Sequence, residues 1–318
     1  MKKIIIISPG NSGGGAIHDY LMSRNDIESP FDGNEFRFNN DPDGLNDLFH
    51  NLYNNFSING SANAFYEFEN FCSNIYVSRI KNKKIFKKGF LKLIDNFLKN
   101  IVEVEYSAIP KFYRDKMSTK KKIEFQILRR ILKRKTNDLN LFKMKIPRSK
   151  KIFINQAEKL IDNIILNNLK KKHIKNIVLD QSGSFWKPES STTFFGKNRK
   201  IIKVIRDPRG IFWSMKRRDS FGYPSNNIDI FIKWYKKIMS YKIDEDVNKN
   251  VKIIKFENFI ENFSEEKKDL EKFLNLKTNV KETFDLDFSK KNLYKAKHHL
   301  SKEEQNKIKK YLKNYLQW

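Results

Sequence analysis

The sequence predicts an α/β fold in which a mostly parallel central sheet is flanked by helices and interrupted by a helical insertion. Three observations support this prediction. A short β-branched run at residues 4–7 ends in a glycine-rich turn, which is typical of a buried strand that leads into a helix. Similar apolar runs return after residue 176 and alternate with helical patterns. The stretch from about 61 to 172 is lysine-rich, aromatic and mostly helical in its spacing, so we expect a single domain over residues 1–318 with an insertion there.

The predicted strands are short, and their apolar residues indicate burial on both faces. They occupy residues 4–7, 177–179, 201–205 and 251–256, and a further short strand is predicted at 35–38. Helices are predicted over residues 14–24, 45–55, 226–241 and 302–315. Another helix begins at Asp207-Pro208, where Asp is a favourable N-cap and Pro a favourable first residue. Ligands of such sheets bind at the carboxyl ends of the strands, so the motifs at those ends are the ones to examine.

The composition is that of a globular protein, since 39% of the residues are hydrophobic and 27 are Phe. Cys72 is the only cysteine, which excludes a disulfide framework and a cysteine-based metal site and favours a reducing compartment. The apolar run at residues 4–7 is shorter than a signal-peptide core of roughly 7–15 residues. No window reaches the roughly 20 apolar residues of a membrane-spanning helix. We therefore expect a cytoplasmic protein.

The formal net charge of +27 has two interpretations. It can attract a polyanion such as nucleic acid, anionic lipid or an acidic glycan, or it can reflect a compositional bias toward lysine and asparagine. We favour the bias for most of the excess. One lysine-rich stretch, residues 118–135, has apolar residues at helical spacing and could make peripheral contact with an anionic membrane. Packing of this stripe on the sheet domain is the simpler expectation.

A glycine-rich segment lies between the first predicted strand and the first helix. Its residues are Gly10, Asn11, Ser12, Gly13, Gly14, Gly15 and Ala16. Glycines let such a turn point several N–H groups at one anion, and the helix dipole adds positive potential. A nucleoside-triphosphatase loop would require Lys and Ser or Thr where this chain has Ala16 and Ile17. A dinucleotide fingerprint is weakened because His18 replaces the third glycine, although Glu35 could still imitate its ribose-binding acid.

The second motif surrounds Arg206, which ends a predicted buried strand. Ser214 follows on the next helix, eight residues later. A guanidinium fork with a hydroxyl group is a good receptor for a phosphate monoester. An ion pair at the surface for Arg206 and a solvated position for Ser214 are the alternatives.

With these two motifs the sequence resembles the sulfotransferases that use 3′-phosphoadenosine 5′-phosphosulfate (PAPS). The resemblance implies a three-layer, P-loop-like fold, PAPS as donor and 3′-phosphoadenosine 5′-phosphate (PAP) as product. It assigns the 5′-phosphosulfate to residues 10–16 and the 3′-phosphate to Arg206 and Ser214. Asp207-Pro208-Arg209 and the order of a Trp234 helix before residues 251–258 are also similar, and Asp180-Gln181 resembles a bacterial branch. The stretch from about 60 to 170 shows little resemblance.

The loop departs from the family pattern, because Asn11 and Ser12 stand where most members carry Lys or Arg. The missing cation must then come from elsewhere or be dispensed with. Five side chains are candidates: Arg37, Lys187, Lys143, Lys145 and Arg148.

A general base is expected to remove the proton of the acceptor hydroxyl. The segment of residues 34–38, Asn-Glu-Phe-Arg-Phe, resembles a stretch of heparan-type sulfotransferases in which the Glu is the proposed base. This resemblance makes Glu35 the first candidate. His18, one turn into the first helix, is the second candidate. The alternative for Glu35 is that it is a solvated residue without a catalytic role, and the alternative for His18 is that it only packs in the core.

No metal site is predicted, because His298 and His299 are adjacent and diverge on a helix. Lys295 and Lys297 fall where family members often place a cation on the nucleotide phosphate.

The acceptor is expected to be a hydroxyl group. By analogy with bacterial relatives, this hydroxyl group is expected to belong to a capsular or lipid-linked glycan. A basic nucleic-acid-binding protein, or another nucleotide-binding P-loop-like protein, is the alternative. Against nucleic acid as a specific partner, the sequence shows no helix-turn-helix, zinc or ribonucleoprotein motif.

Overall fold

The structure is a computed structural model, and it describes residues 1–80, 83–131, 133, 142–171, 173–218, 222–241, 248–277 and 283–318. The chain divides into two compact units. The first consists of Met1–Arg37 with Leu169–Trp318, and the second of Phe38–Asn168. The second unit therefore begins at Phe38, ahead of the stretch from about 61 to 172. The assignment of one domain with an insertion stays a prediction.

The elements of the described residues are as follows, in chain order. The strands are β1 (Lys2–Ile7), β2 (Ile27–Glu28), β3 (Arg79–Ile80), β4 (Lys83–Lys84), β5 (Val102–Ser107), β6 (Lys143–Pro147), β7 (Asn176–Asp180), β8 (Arg199–Ile205) and β9 (Val251–Lys255). The helices are α1 (Gly14–Ser23), α2 (Leu45–Phe49), α3 (Ile58–Val77), α4 (Phe90–Ile101), α5 (Lys111–Lys116), α6 (Thr119–Arg130), α7 (Lys150–Asn168), α8 (Pro188–Ser191), α9 (Pro208–Arg218), α10 (Ile228–Met239), α11 (Phe256–Glu261), α12 (Phe263–Leu274), α13 (Leu286–Lys290), α14 (Lys295–His299) and α15 (Lys302–Tyr311). A π-helical segment, His50–Asn54, extends α2, and a 3₁₀ turn, Lys313–Tyr315, follows α15.

The first unit is built on a parallel sheet, which confirms the predicted α/β class. Within the described residues five strands pair in the order β2-β7-β1-β8-β9. The central strand β1 is flanked by β7 and β8, and its residues Ile4 to Ile7 have no exposed surface. Burial on both faces is why this strand is apolar throughout and not alternating. Ile6 lies opposite Asp180 on β7 and Ile202 on β8, so the carboxyl ends of these strands reach the same edge.

Helices cover this sheet and extend its core. Tyr20 and Leu21 of α1 are fully buried in one cluster with Phe259 of α11 and Leu270 of α12. A second cluster joins α9, α10, α14 and α15, and the tilted rings of Phe212 and Phe231 contact each other within it at 4.8 Å between centroids. These packed helices hold the segments after β1 and β8 in fixed positions.

The strand predicted at residues 35–38 is wrong, because these residues form no strand. The strand at the edge of the sheet next to β7 is instead β2, Ile27–Glu28. Phe36 is buried for a different reason, since its ring stacks on Phe31 at 4.5 Å. Its N–H donates to the backbone oxygen of Asp180 at 2.9 Å. Aromatic packing and one backbone bond therefore produced the alternating pattern that resembled a strand.

The second unit is mostly helical and has an aromatic core. Phe97 contacts both Phe68 and Phe153, with centroid distances of 6.1 and 5.5 Å. Two short antiparallel sheets of two strands each, β3–β4 and β5–β6, are additions that the lysine-rich sequence did not predict.

Helix α6 exposes most of the apolar stripe predicted between residues 118 and 135. Phe125 is buried, whereas Ile123 is 54% exposed and Ile127 44%. The expectation that the stripe is packed is therefore wrong for these two isoleucines. Residues 132, 134 and 135 of that stretch lie outside the described residues. In the described part of the chain, no helix combines the length and the apolar character needed to cross a membrane.

Candidate functional site

The turn after β1 has a backbone shape that requires glycine. Gly10 and Gly13 have φ angles of 81° and 85°, in the left-handed region that favours glycine. A Cβ atom on Gly13 would lie 2.3 Å from the ring of Phe256. Helix α1 starts directly after Gly13, and no side chain caps it. The N–H of Ala16 donates to the backbone oxygen of Gly13 at 3.0 Å, so the N–H groups of Gly14 and Gly15 are the ones left for an anion.

Two side chains of the turn take part in holding its shape. Ser12 is buried, and its hydroxyl donates to the backbone oxygen of Gly10 at 3.0 Å. The backbone oxygen of Asn11 accepts a hydrogen bond from Nη1 of Arg206 at 3.2 Å. The turn is therefore tied directly to the end of β8.

Arg206 is only 8% exposed, and its guanidinium reaches Ser214. Its Nη1 atom donates to Ser214 Oγ at 3.1 Å, and Nη2 donates to the backbone oxygen of Asn292 at 3.3 Å. Its Nε atom is buried without a hydrogen-bond partner among the described residues. Burial lowers the pKa of Arg206, and nearby Glu257 opposes this shift.

Close packing keeps this guanidinium in place. The Arg206 guanidinium lies 4.8 Å from the ring centroid of Phe256. A Cβ atom on Gly210 would come within 2.8 Å of Arg206 Nε, so only glycine fits beneath it. Glu257 Oε1 lies 3.8 Å from the same Nε atom. Burial raises the pKa of Glu257 to about 7, so this carboxyl is partly protonated near neutrality.

The start of α9 is stabilised by Asp207, as the N-cap prediction required. Asp207 Oδ1 accepts from the backbone N–H of Arg209 at 2.9 Å. Its Oδ2 atom accepts from Arg209 Nη2 and from the backbone N–H of Gln317, both at 2.8 Å. The Arg209 guanidinium also lies 3.4 Å from the ring centroid of Trp318 and donates to the backbone oxygen of that residue. Distant parts of the first unit therefore converge on the segment that carries Arg206 and Ser214.

The glycine turn, Arg206 and Ser214 line one cavity of about 510 Å³ in the first unit. Its cationic side chains, within the described residues, are those of Arg206, Arg217, Arg218 and Lys295. Its aromatic walls are formed by Trp213, Phe256 and Phe288. Turn amides, a cationic wall and aromatic rings together suit an anionic nucleotide.

The second unit has a larger groove, of about 870 Å³, next to α4 and α7. Its charged residues, including Lys92 and Lys99, are exposed, and it has no glycine-rich turn. We therefore place the candidate site in the first unit.

Two sulfotransferases are among the solved structures that match this chain. No family model matches the chain, and no curated protein sequence matches it. Mouse sulfotransferase SULT7A1, solved in complex with PAP, is 20% identical over 43% of this chain and 52% of that chain, about half its length, with a TM-score of 0.28. The sulfotransferase domain from the curacin biosynthetic pathway is 13% identical over 98% of this chain and 97% of that chain, with a TM-score of 0.42.

The two candidate bases lie in different environments. Glu35 lines the cavity, but its side chain is 50% exposed and pairs with Arg37 at 3.4 Å. His18 is buried at 4% exposure, does not line the cavity, and has no partner for Nε2 among the described residues. Their assignment as bases stays a prediction.

The cations proposed from the sequence are not among the cavity residues. Lys187 is exposed, and Arg37 pairs with Glu35. The remaining three belong to the second unit, where Lys143 pairs with Glu105, Lys145 with Glu69 and Arg148 with Glu103. Arg217 and Arg218 line the cavity instead, one turn beyond Ser214 on α9. Helical spacing could have indicated them, because residues three and four apart lie on the same face.

Asp180 is a further cavity residue to which the sequence motifs assign no catalytic or binding role. It ends β7, and its Oδ1 atom is buried without a hydrogen-bond partner among the described residues. Burial raises the pKa of this carboxyl to about 6. Its place at the carboxyl end of a buried strand was the available signal. As for metals, no group of three or more His, Cys, Asp or Glu side chains in the described ranges could hold an ion.

Proposed function

We propose that this chain is a sulfotransferase that moves the sulfuryl group of PAPS onto a hydroxyl acceptor and releases PAP. The observation that carries the proposal is the joint placement of the glycine turn, Arg206 and Ser214 around one cavity. This arrangement offers two different anion sites, one made of main-chain amides and one made of a guanidinium and a hydroxyl. PAPS is a nucleotide with an anionic group at each end of its ribose.

The guanidinium–hydroxyl pair suits the 3′-phosphate. The Nη1 atom of Arg206 and the Oγ atom of Ser214 are 3.1 Å apart, so one phosphate can bridge both. Packing against Phe256 and Gly210 orients the fork before the ligand arrives, which reduces the entropy lost on binding.

The main-chain amides of the turn suit the 5′-phosphosulfate. During transfer the acceptor oxygen bonds to sulfur, the bond from sulfur to the bridging oxygen breaks, and negative charge develops on the 5′-phosphate of PAP. Amides fixed at the start of α1 stabilise that charge without having to reorganise. The acceptor proton is taken up by a base, for which Glu35 and His18 are the candidates that the resemblance and the sequence suggest.

The charge that the loop lacks comes, in this proposal, from the cavity wall. Ser12 is already engaged with Gly10, so its hydroxyl is a poor substitute for a cation. Besides Arg206, the cationic side chains that line this cavity within the described residues are those of Arg217, Arg218 and Lys295. They replace the usual lysine by long-range attraction to the donor.

We propose a hydroxyl group as the acceptor, and by analogy with bacterial relatives we expect a capsular or lipid-linked glycan to carry it. The cytoplasmic location and any peripheral membrane contact stay predictions.

Calorimetry with PAP tests the donor site. Wild type should bind PAP, and Arg206→Ala should abolish the binding because it removes the fork. Ser214→Ala keeps the buried charge in place and should weaken PAP binding by about 3- to 10-fold, the effect of one hydrogen bond. Arg129→Ala, at an exposed arginine of α6, is the matched control and should bind as wild type does.

The alternative, a basic nucleic-acid-binding protein, makes the opposite prediction. It requires tight RNA or DNA binding that falls steeply with salt, together with no PAP binding. That result, or PAP binding unaffected by both Arg206→Ala and Ser214→Ala, would contradict the proposed sulfotransferase.

A further inference from the structure

The carboxyl group of Asp180 lies at the junction of β7 and the glycine turn. Asp180 lies opposite Ile6 in the sheet. Ile6 is two residues before Ser8, where the turn begins. The next residue, Gln181, ties the two segments together, because its Nε2 atom donates to Ser8 Oγ at 2.8 Å. The side chain of Asp180 therefore lines the cavity beside the amides of the turn.

This carboxyl has an unused acceptor. Its Oδ1 atom is buried, and no donor contacts it among the described residues. The backbone oxygen of Asp180, in contrast, accepts from the N–H of Phe36 at 2.9 Å and from Ser182 Oγ at 3.1 Å. The main chain is thus held rigidly while a buried side-chain oxygen awaits a donor. Leaving such an atom unpaired costs free energy, which a hydroxyl bound in the cavity would recover.

We propose that Asp180 is the general base that accepts the proton of the acceptor hydroxyl, an inference that rests on the proposed sulfotransferase function. The acceptor O–H donates to Oδ1 of Asp180 as its oxygen forms the new bond to sulfur. The bond between sulfur and the bridging oxygen breaks, and its electron pair leaves with PAP. Asp180, now protonated, releases the proton to solvent before the next turnover.

The surroundings of Asp180 tune it for this task. Its pKa is raised to about 6, chiefly by burial; the negative charges of Glu35 and Asp19 contribute to this rise, and His18 opposes it. A base acts best when its pKa lies near the working pH, because it is then both ionised and a strong proton acceptor. Glu35, with half of its side chain in solvent and Arg37 beside it, lacks this environment.

His18 acts through Asp180 in this assignment and is a positioning residue. Its imidazole is buried, and its interaction with Asp180 favours the carboxylate form. Its Nε2 atom, like Oδ1 of Asp180, has no hydrogen-bond partner among the described residues. Replacing His18 by Gln should therefore shift the pH dependence of turnover upward rather than abolish turnover.

The test measures turnover of sulfur-labelled PAPS with water as the acceptor, which requires no knowledge of the natural acceptor. Wild type, Asp180→Asn, Glu35→Gln and His18→Gln are compared from pH 5 to 9. We expect kcat of wild type to rise through about pH 6 to a plateau. Asp180→Asn should lose about 100-fold in kcat and the pH dependence near 6, as expected for loss of a general base. Glu35→Gln should keep a pH dependence that is shifted to lower pH, because the charge of Glu35 raises the pKa of Asp180. Glu124→Gln, at an exposed position of α6, is the control and should keep the wild-type kcat and profile.

Binding of PAP separates failure of this inference from failure of the proposed function. Asp180→Asn is nearly isosteric and changes no main-chain contact, so it should bind PAP with wild-type affinity. Unchanged PAP binding together with unchanged kcat and pH profile would overturn the role of Asp180 alone. Loss of turnover and of the profile in Glu35→Gln, with Asp180→Asn active, would return the role to Glu35. A wild type that neither binds PAP nor consumes PAPS would overturn the proposed function and this assignment with it.

Discussion

At the scale of single residues, the four glycines of the turn are not equivalent. Gly13 combines a φ of 85° with a Cβ position only 2.3 Å from the ring of Phe256. Gly15 lies within α1 and has no atom within 4 Å of its Cβ position. The sequence alone does not distinguish them, because both stand in one run of glycine. The difference arises from Phe256, which follows β9 more than 200 residues later in the chain.

This difference leads to a matched pair of substitutions. Gly13→Ala should destabilise the fold by about 2 kcal/mol or more and weaken PAP binding, because backbone strain and the clash both move the turn. Gly15→Ala should leave the turn intact and can add up to about 1 kcal/mol through helix propensity. Urea unfolding and PAP calorimetry on both variants check this. Equal stability of the two would contradict the φ and contact argument.

At the scale of elements, the N-terminus of α9 determines where the phosphate receptor lies. Asp207 both caps the helix and neutralises the buried Arg209, while also accepting from the N–H of Gln317. Ser214 stands on the second turn of the same helix, so its distance from Arg206 depends on that cap. The Asp-Pro sequence predicted that Asp207 caps the helix, but it did not predict the contact between Asp207 and Gln317.

Two substitutions, each removing the N-cap of one of two helices, separate the effect of Asp207 on stability from its effect on PAP binding. Asp207→Ala should cost about 3 kcal/mol and weaken PAP binding, since it leaves Arg209 as an uncompensated buried charge. The Oδ1 atom of Asn227 caps α10 by accepting from the backbone N–H groups of Asp229 and Ile230. Asn227→Ala removes this cap and should lower the free energy of unfolding by about 1 kcal/mol. PAP affinity should remain at the wild-type level in Asn227→Ala. Chemical unfolding and calorimetry measure both quantities, and a similar loss of affinity in the two variants would contradict a specific role for Asp207.

At the scale of the whole molecule, buried carboxyls should make stability depend on pH. Burial raises the pKa of Glu257 to about 7 from an ordinary value of 4.5. The folded state then holds this proton more tightly than the unfolded state does. The contribution of Glu257 to the free energy of unfolding is therefore highest below about pH 4.5 and declines as the pH rises to 7, by up to about 3 kcal/mol. Asp180 acts in the same direction between its ordinary value of 3.8 and about 6.

Substitution of Glu257 tests this dependence. Glu257→Gln should flatten the decline in Tm between pH 4.5 and 7 relative to wild type, because the amide has no charged form to bury. Glu124→Gln, at an exposed position of α6, should reproduce the wild-type curve. If Tm changed with pH at the same rate in wild type and in Glu257→Gln, Glu257 would not be held partly protonated in the folded state.

The sequence by itself determined the α/β class, the positions of β1, β7, β8 and β9, and the pairing of a glycine turn with Arg206 and Ser214. These follow from local rules, because β-branched runs, glycine turns and Asp-Pro caps act over a few neighbouring residues. It failed at residues 35–38, where aromatic packing imitated the alternation of a strand.

Only the tertiary structure decided which charged groups face the cavity and how they titrate. Helical spacing puts Arg217 and Arg218 on the face of Ser214, and Asp180 ends a strand, but no local pattern shows that these groups share one cavity or that Glu257 is buried. The pKa values of Asp180 and Glu257 depend on the water that distant segments exclude, and burial of that kind is a property of the packed chain. A cavity lined by residues 8 to 295 is assembled by strand order, which no local stretch of sequence encodes.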